Sequence, residues 1–420
     1  MKRQIAKLKQ SEFALNSFKI LSGTTIAQLF SVVMAPILYR IYDKEDYGVL
    51  GLFMAILGVV GVFSTLQYNQ LILLVKTDEE ANQAEKLNRI INLIFSLTTI
   101  PLIIVFGNKL AEYFNSPDLN TWLFLLPIQI FFSGQSEIFR VKANRMKKYS
   151  TLSMNTILSA FITPLVSLVL GFSIEGPFGL FLGLILGQLI STIYLQFKVK
   201  SVKILKISLS EFREMIKIAK RHYKFPLYSL PSELINRAGR QLPVFLIGYL
   251  SGESAVGVYN LCSRMLSLPV TLISGAVSEV FKKRVIDEYH AIGNCKKIFK
   301  NTAKMLLLIG VFPTILLLIF GPELFSYVFG NKWLEAGIYA QILSPMYLLQ
   351  LIVSPLTYFY YLKEKLGEDL ILHICYIGSL FLLFCIPPSY LSLIGTLIIF
   401  TIINCILYGI YFLRSFQLAR

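Results

Sequence analysis

Residues 391–413 read LSLIGTLIIFTIINCILYGIYFL, a run without a single charged side chain. An α-helix rises about 1.5 Å per residue, so this run is long enough to cross the roughly 30 Å hydrocarbon core of a bilayer. Runs of the same kind recur throughout the chain. Twelve spans result, at roughly 16–41, 49–74, 88–106, 121–140, 151–171, 177–197, 225–250, 256–281, 302–320, 336–361, 370–387 and 391–413. The chain has 420 residues, of which 55% are hydrophobic and 15% charged. The expected fold is therefore all-α, a polytopic membrane protein with twelve transmembrane helices. Prolines inside several spans, Pro36, Pro101, Pro164 and Pro313 among them, do not count against it, because neighbouring groups in a membrane re-satisfy the freed carbonyls.

The formal charge of +16 reads first as topology. With both termini on the cytoplasmic side, 33 of the 40 Lys and Arg fall in inner segments or at the helix ends bordering them. The outer loops carry Arg40, Lys44, Lys109 and Lys332. This asymmetry explains most of the net charge, so membrane lipids rather than nucleic acid are the expected partner. The basic start Met1–Lys9 leads into an apolar span longer than a signal-peptide core and without a small-residue cleavage site, so that span is expected to stay as the first helix. Five cysteines and three histidines are scattered without metal-ligand spacing, so no disulfide framework, metal or cofactor is expected. No phosphate-binding loop, GxSxG, HExxH or paired catalytic carboxylates occur at plausible positions; the chain is not expected to be an enzyme.

The twelve spans divide into two related sets of six. Phe18 stands eighteen residues before Pro36, and Phe225 eighteen before Pro243. Gly48-Val49-Leu50-Gly51-Leu52 answers Gly257-Val258-Tyr259-Asn260-Leu261, Phe106-Gly107 answers Phe320-Gly321, and Pro127 answers Pro345. Six is an even number, so both halves enter the membrane from the same side, and a site is expected between them near the midplane. The expected organisation is a six-helix lobe over 1–197, a basic amphipathic cytoplasmic linker over 198–224, and a second pseudo-symmetric six-helix lobe over 225–420. In the linker, Phe212, Met215, Ile216 and Ala219 follow helical spacing, and Ser208 with Glu211 resembles a capping box.

Three arginines remain inside spans: Arg237, Arg240 and Arg264. An arginine at mid-bilayer costs roughly 2.5–3.5 kcal/mol on insertion scales. One explanation is a structural network in which Glu233 pairs with Arg237 one turn away while the other two snorkel or bond carbonyls. The other is a cationic cavity for an anionic substrate, because the guanidinium fork binds two oxygens at once and stays protonated. Asn236 and Asn260 lie near these arginines, and Gln28 belongs to a neutral polar stripe with Thr24 and Ser31 in the first span. Glu233 is also the candidate for coupling to a proton or sodium ion. Gly179, Gly183 and Gly187 form a double GxxxG, the pattern of close helix packing.

The run Leu21-Ser22-Gly23…Pro36-Ile37-Leu38-Tyr39-Arg40-Ile41-Tyr42-Asp43-Lys44-Glu45-Asp46-Tyr47-Gly48 resembles the first-helix signature of Wzx-type bacterial polysaccharide flippases. These are O-antigen and capsule exporters of the MATE-like multidrug/oligosaccharidyl-lipid/polysaccharide (MOP) superfamily. Pro226-Leu227-Tyr228-Ser229-Leu230-Pro231, with Val256-Gly257-Val258-Tyr259 and Pro269, is similar to the matching segment of the second half. The resemblance implies a flippase in the bacterial inner membrane that carries a polyprenyl-diphosphate-linked oligosaccharide by alternating access, beside a polysaccharide polymerase as partner. Arg237, Arg240 and Arg264 would then contact diphosphate or acidic sugar, and Asn236, Asn260 and Gln28 sugar hydroxyls. A MATE-type drug antiporter would favour an acidic residue in the first span, and Gly23–Pro36 has none. A lipid II flippase usually carries fourteen spans. A polymerase would carry a large outer loop, whereas the outer loops here are short.

Overall fold

The computed structural model describes residues 23–202, 209–384, 386 and 392–420. Among the described residues every regular element is helical. Nine segments there are long and apolar enough to cross a membrane. One of them, Phe225–Ile292, has 68 residues and holds a break, so its length suffices for two crossings. The chain divides into two compact units, one ending at Gln241 and the other running Leu242–Arg420.

The first unit contains α1 (Gly23–Ile41), α2 (Lys44–Val60), α3 (Leu71–Leu74), α4 (Asp78–Tyr113), α5 (Leu119–Leu123), α6 (Leu126–Arg145), α7 (Tyr149–Gly171), α8 (Phe178–Lys198) and α9 (Leu209–Arg221). The tyrosines of the signature run secure the turn from α1 to α2. Tyr39 stacks on Tyr47 at 4.0 Å between ring centroids, and the Tyr42 hydroxyl donates to the Ser167 carbonyl at 2.6 Å. Asp43 starts α2, its backbone N–H donating to Asp46 Oδ2 at 2.9 Å, half of a capping box. The glycine row of α8 faces α7: a Cβ on Gly183 would lie 2.6 Å from the Thr163 carbonyl. The small residues let the two backbones touch.

In the first unit two spans differ from the sequence reading. The second, expected as one helix over 49–74, is interrupted. After α2 and a 3₁₀ turn at Gly61–Ser64, the chain reverses at Leu66 (φ 48°) and Gln67 (φ 63°), then resumes through Tyr68–Gln70 into α3. No glycine or proline marks that turn; a local bond from Thr65 Oγ1 to Asn69 Oδ1 at 3.3 Å holds it. The fourth, expected over 121–140, is split into α5 and α6, and α6 continues to Arg145. With Gln129, Gln135, Glu137, Arg140 and Lys142 on it, α6 is too polar to count among the nine apolar crossings.

Polar residues hold the α4–α6 seam. Gln135 Nε2 donates to Asn92 Oδ1 at 2.9 Å, and Arg89 Nε donates to Gln135 Oε1 at 2.8 Å. Lys142 pairs with the fully buried Glu85 at 2.5 Å. The same helix grips the linker: Arg89 Nη1 donates to the Val202 carbonyl at 2.6 Å, and Val202 N–H donates to Glu85 Oε1 at 3.2 Å. The amphipathic helix expected in the linker is α9. It is packed rather than free, with Met215 buried, Lys86 on Glu211 at 2.6 Å and the Tyr68 hydroxyl on the Ala219 carbonyl at 3.0 Å. Ser208, the other half of the expected capping box, lies outside the described residues.

Helix α10 (Leu230–Pro269) begins in the first unit and ends in the second. The second unit continues with α11 (Gly275–Ile292), α12 (Lys296–Phe329), α13 (Leu334–Leu356), α14 (Tyr358–Leu362), α15 (Leu366–Phe384) and α16 (Leu393–Leu418). Its core includes Phe281, Val285, Phe299, Leu306, Leu356 and Phe359. Gly252, at the repeat offset from Asp43, is where α10 breaks at φ 74°, whereas Asp43 caps α2 in an extended conformation at φ −90°. Gly107 abuts Asn120, and its counterpart Gly321 abuts Gly337, where an added Cβ would lie 2.7 Å from a carbonyl.

Candidate functional site

The interrupted second span opens a cavity of about 510 Å³ within the first unit. That volume is within the range of small-molecule sites. One wall is the break itself, with Gly61, Ser64, Thr65, Gln67, Asn69 and Gln70. Ser133, Gly134, Ser136, Glu137 and Arg140 come from α6 and Gln188 from α8, while Glu233, Arg237 and Gln241 project from successive turns of α10. Helix α10 approaches α2 closely at this point: a Cβ on Gly58 would lie 3.2 Å from Gln241 Nε2.

The charges balance, two carboxylates against two guanidinium groups. Arg237 Nε donates to Glu233 Oε1 at 2.6 Å, one helical turn apart, and the Arg240 guanidinium reaches the same oxygen at 3.9 Å. Glu137 and Arg140, exposed on α6, have no ion partner among the described residues. The remainder of the lining is amide, hydroxyl and glycine, groups that donate and accept hydrogen bonds without net charge. Such a surface can hydrogen-bond the hydroxyls of a polyhydroxylated ligand.

The sequence expectation placed Arg237 and Arg240 deep in an apolar span. Both lie within the candidate span Phe225–Ile292, and their side chains are 48% and 65% exposed at the protein surface. Beside a polar cavity and a carboxylate, a guanidinium avoids most of the cost of sitting in hydrocarbon. Arg240 and Asn236 are off the cavity wall; Asn236 Nδ2 donates to the Ser232 carbonyl at 3.1 Å. Gln28 is on α1, away from this lining, with its Oε1 buried and unbonded among the described residues. In the second unit Arg264 is exposed, and the buried Asn260 Nδ2 finds no partner among the described residues. Next to them Ser263 Oγ and the Tyr347 hydroxyl share a 2.8 Å hydrogen bond.

Glu137, Arg140, Gln67, Gln188 and Gln241 were not among the residues singled out from sequence. The topology reading takes Arg140 as an inner-segment charge, although it lies within α6, which runs on to Arg145. The usable signal was Glu137 with Arg140 at i,i+3 beside Ser133 and Ser136, a polar face that an ordinary span would not carry.

Residues 37–337 match the polysaccharide biosynthesis protein family, well over half of the chain. The chain belongs to that family. Two curated relatives bear related names. The teichuronic acid biosynthesis protein TuaB of Bacillus subtilis (strain 168) is 31% identical over 137 residues, 32% of this chain and 28% of that protein. The amylovoran biosynthesis protein AmsL of Erwinia amylovora is 23% identical over 246 residues, 55% of this chain and 61% of that protein. The chain thus aligns with less than two thirds of either relative's length. Among solved structures, the lipid II flippase MurJ in an inward closed conformation superposes with a TM-score of 0.69 at 16% identity, over 94% of this chain and 87% of that one. An inward-facing multidrug resistance MATE family transporter of the MOP superfamily gives 0.66 at 15%, over 94% and 97%. At such identities the likeness is one of fold: this member of the polysaccharide biosynthesis protein family has the helical fold of MOP-superfamily transporters.

Proposed function

We propose that this protein is a flippase that moves a polyprenyl-diphosphate-linked oligosaccharide repeat unit across the cytoplasmic membrane for surface polysaccharide assembly. The observation that carries this reading is the Glu233–Arg237 pair on the wall of an amide- and hydroxyl-rich cavity, in a chain of the polysaccharide biosynthesis family with a transporter fold. A diphosphate crossing hydrocarbon needs compensating charge, and sugars need hydrogen-bonding groups in place of water. Glu233 pairs with Arg237 while no cargo is bound, and Arg240 is the unbalanced cation beside them. An arriving diphosphate exchanges places with that carboxylate and supplies charge for both arginines. Arg264 and Asn260 in the second unit, with Gln28 and Asn236, are further contacts for phosphate or sugar, and Glu233 is the coupling carboxylate. The role is transport without chemistry on the cargo, by alternating access, with a polysaccharide polymerase using the delivered repeat units.

The proposed topology has twelve spans in two six-helix lobes joined by the 198–224 linker, both termini inside. A cysteine at Lys44 or Lys332 is then labelled from outside and one at Lys206 is not; the reverse pattern overturns the orientation. For function, Arg237→Ala and Arg240→Ala strains are expected to lose surface glycan and to retain lipid-linked oligosaccharide in the inner leaflet, with membrane insertion intact. Arg237→Lys recovers only part of export, because an ammonium lacks the two-pronged fork. Normal surface glycan in the Arg237→Ala/Arg240→Ala double variant refutes the charged-cavity reading. Lipid-linked repeat units that reach the outer leaflet and stay unpolymerised in a deletion strain refute the flippase reading itself.

A further inference from the structure

Helix α9 carries three different faces. Met215 is buried, and Ile218 and Ala219 pack against the core of the first unit around Ile138 and Leu195. A second face is apolar but uncovered: Phe212 is 47% exposed, Ile216 38% and Tyr223 53%. At about 100° per residue these three fall within an arc of roughly 40°. Tyr223 follows in the turn after α9, where the His222 N–H still donates to the Ile218 carbonyl at 3.1 Å.

The third face is basic, and its pairing is uneven. Lys217 is bonded to Glu214 at 2.6 Å, and Arg221 faces Glu80 at 3.6 Å. Arg213, Lys220 and Lys224 are exposed and have no ion partner among the described residues. These three unpaired cations occupy an arc of about 40° directly beside the apolar one, and the paired cations lie beyond them. The acidic groups nearest the basic face, Glu214 and Glu80, are the ones already engaged. An uncovered apolar arc edged by unneutralised cations is the surface of a helix that lies at a lipid interface. The position in the chain agrees: α9 ends at Arg221, and the candidate span that contains α10 starts at Phe225.

We propose that α9 is a docking surface for anionic phospholipid, in which Phe212, Ile216 and Tyr223 enter the acyl boundary while Arg213, Lys220 and Lys224 bind headgroup phosphates. The proposal is independent of the cargo. A row of three cations on a solvated helix would fit many polyanions. A row that borders an exposed Phe, Ile and Tyr, a few residues from a bilayer-spanning segment, fits a lipid surface. Each cation near an anionic surface contributes roughly fivefold, so three give a preference on the order of a hundredfold for anionic over zwitterionic lipid.

The test uses the full-length protein carrying Phe212→Trp, reconstituted into phosphatidylcholine vesicles with a minority of phosphatidylglycerol. Either lipid is supplied brominated, and fluorescence is read as the difference from wild type so that Trp122 and Trp333 cancel. Strong quenching by brominated phosphatidylglycerol, abolished by Arg213→Gln/Lys220→Gln/Lys224→Gln, is the expected result. Equal quenching by both lipids, unchanged in the triple variant, overturns the anionic preference. No quenching by either lipid overturns the docking surface, since the stripe then faces water or another protein. The three cations are exposed, and an unchanged melting midpoint in detergent verifies that the triple variant is folded.

Discussion

Replacing Glu85 by Gln isolates one charge inside the first unit. Glu85 is fully buried; its Oε2 accepts from Lys142 at 2.5 Å and its Oε1 from the Val202 N–H at 3.2 Å. Glutamine keeps the shape and can still accept from Val202, so the perturbation falls on Lys142. That ammonium is then left with Asn82 Oδ1 at 3.4 Å as its partner among the described residues. Stranding one member of a buried pair costs about 3–5 kcal/mol. The Lys142 side chain is 13% exposed and recovers some hydration, which places the expected loss near the lower end, about 3 kcal/mol. At about 2–4 °C per kcal/mol for a body of this size, the melting midpoint falls by roughly 6–12 °C. Lys142→Met strands the carboxylate instead and costs at least as much. The double variant Glu85→Gln/Lys142→Met removes both members of the pair and recovers part of the loss, a coupling of about 2–3 kcal/mol, while Arg89 one turn away still lacks the Glu85 charge. Thermal unfolding in detergent measures this through Trp122, which stacks on Phe181 at 4.3 Å inside the same unit. A shift under about 2 °C for the single variant, or a double variant that falls by the sum of the two singles, refutes the reasoning.

Two further outcomes follow from the backbone. Gly183→Ala puts a methyl 2.6 Å from the Thr163 carbonyl; α7 and α8 must separate, with an expected loss of about 1–3 kcal/mol in the same melting assay. Gln67→Gly removes a side chain held at φ 63° and is expected to raise the midpoint slightly, by up to about 1 kcal/mol of relieved strain. Because Gln67 lines the cavity, glycan export should fall in the same variant; a lowered midpoint would mean that the turn is held by this side chain and not strained by it.

The apolar spans were legible because hydrocarbon tolerates so few side chains. Glycine spacing in α8 was legible for the same reason, since a row of missing Cβ atoms in a membrane helix has few uses besides contact. The break at Leu66–Gln67 was hidden. It contains neither Gly nor Pro, and two ordinary residues take positive φ because the surrounding packing holds them there. Only the cluster Gln67, Asn69, Gln70 hinted that the second span stops being a span. Arg140 was hidden by an averaging rule: a count of basic residues near helix ends assigns each one to topology, and an arginine that faces a cavity from the last turns of a helix is counted with the rest. The Glu233–Arg237 pair was foreseen from i,i+4 spacing alone. What spacing does not give is which neighbouring helices come to share that face, and that is where Glu137 and Gln188 entered.

The glycine row between α7 and α8 has a mechanical consequence. Where Gly183 and Gly187 meet the backbone and short side chains of Thr163 and Ser167, there is little to compress, so the pair behaves as one stiff plate. The opposite holds across the cavity, where a helix is interrupted and the turn rests on a short-range hydroxyl–amide bond. The rim at Thr65–Gln67 is a stretch of this wall without a continuous helical ladder, anchored by the buried Tyr68, Leu71 and Ile72. A ligand on this rim therefore touches a seam in the wall, with the plate behind it.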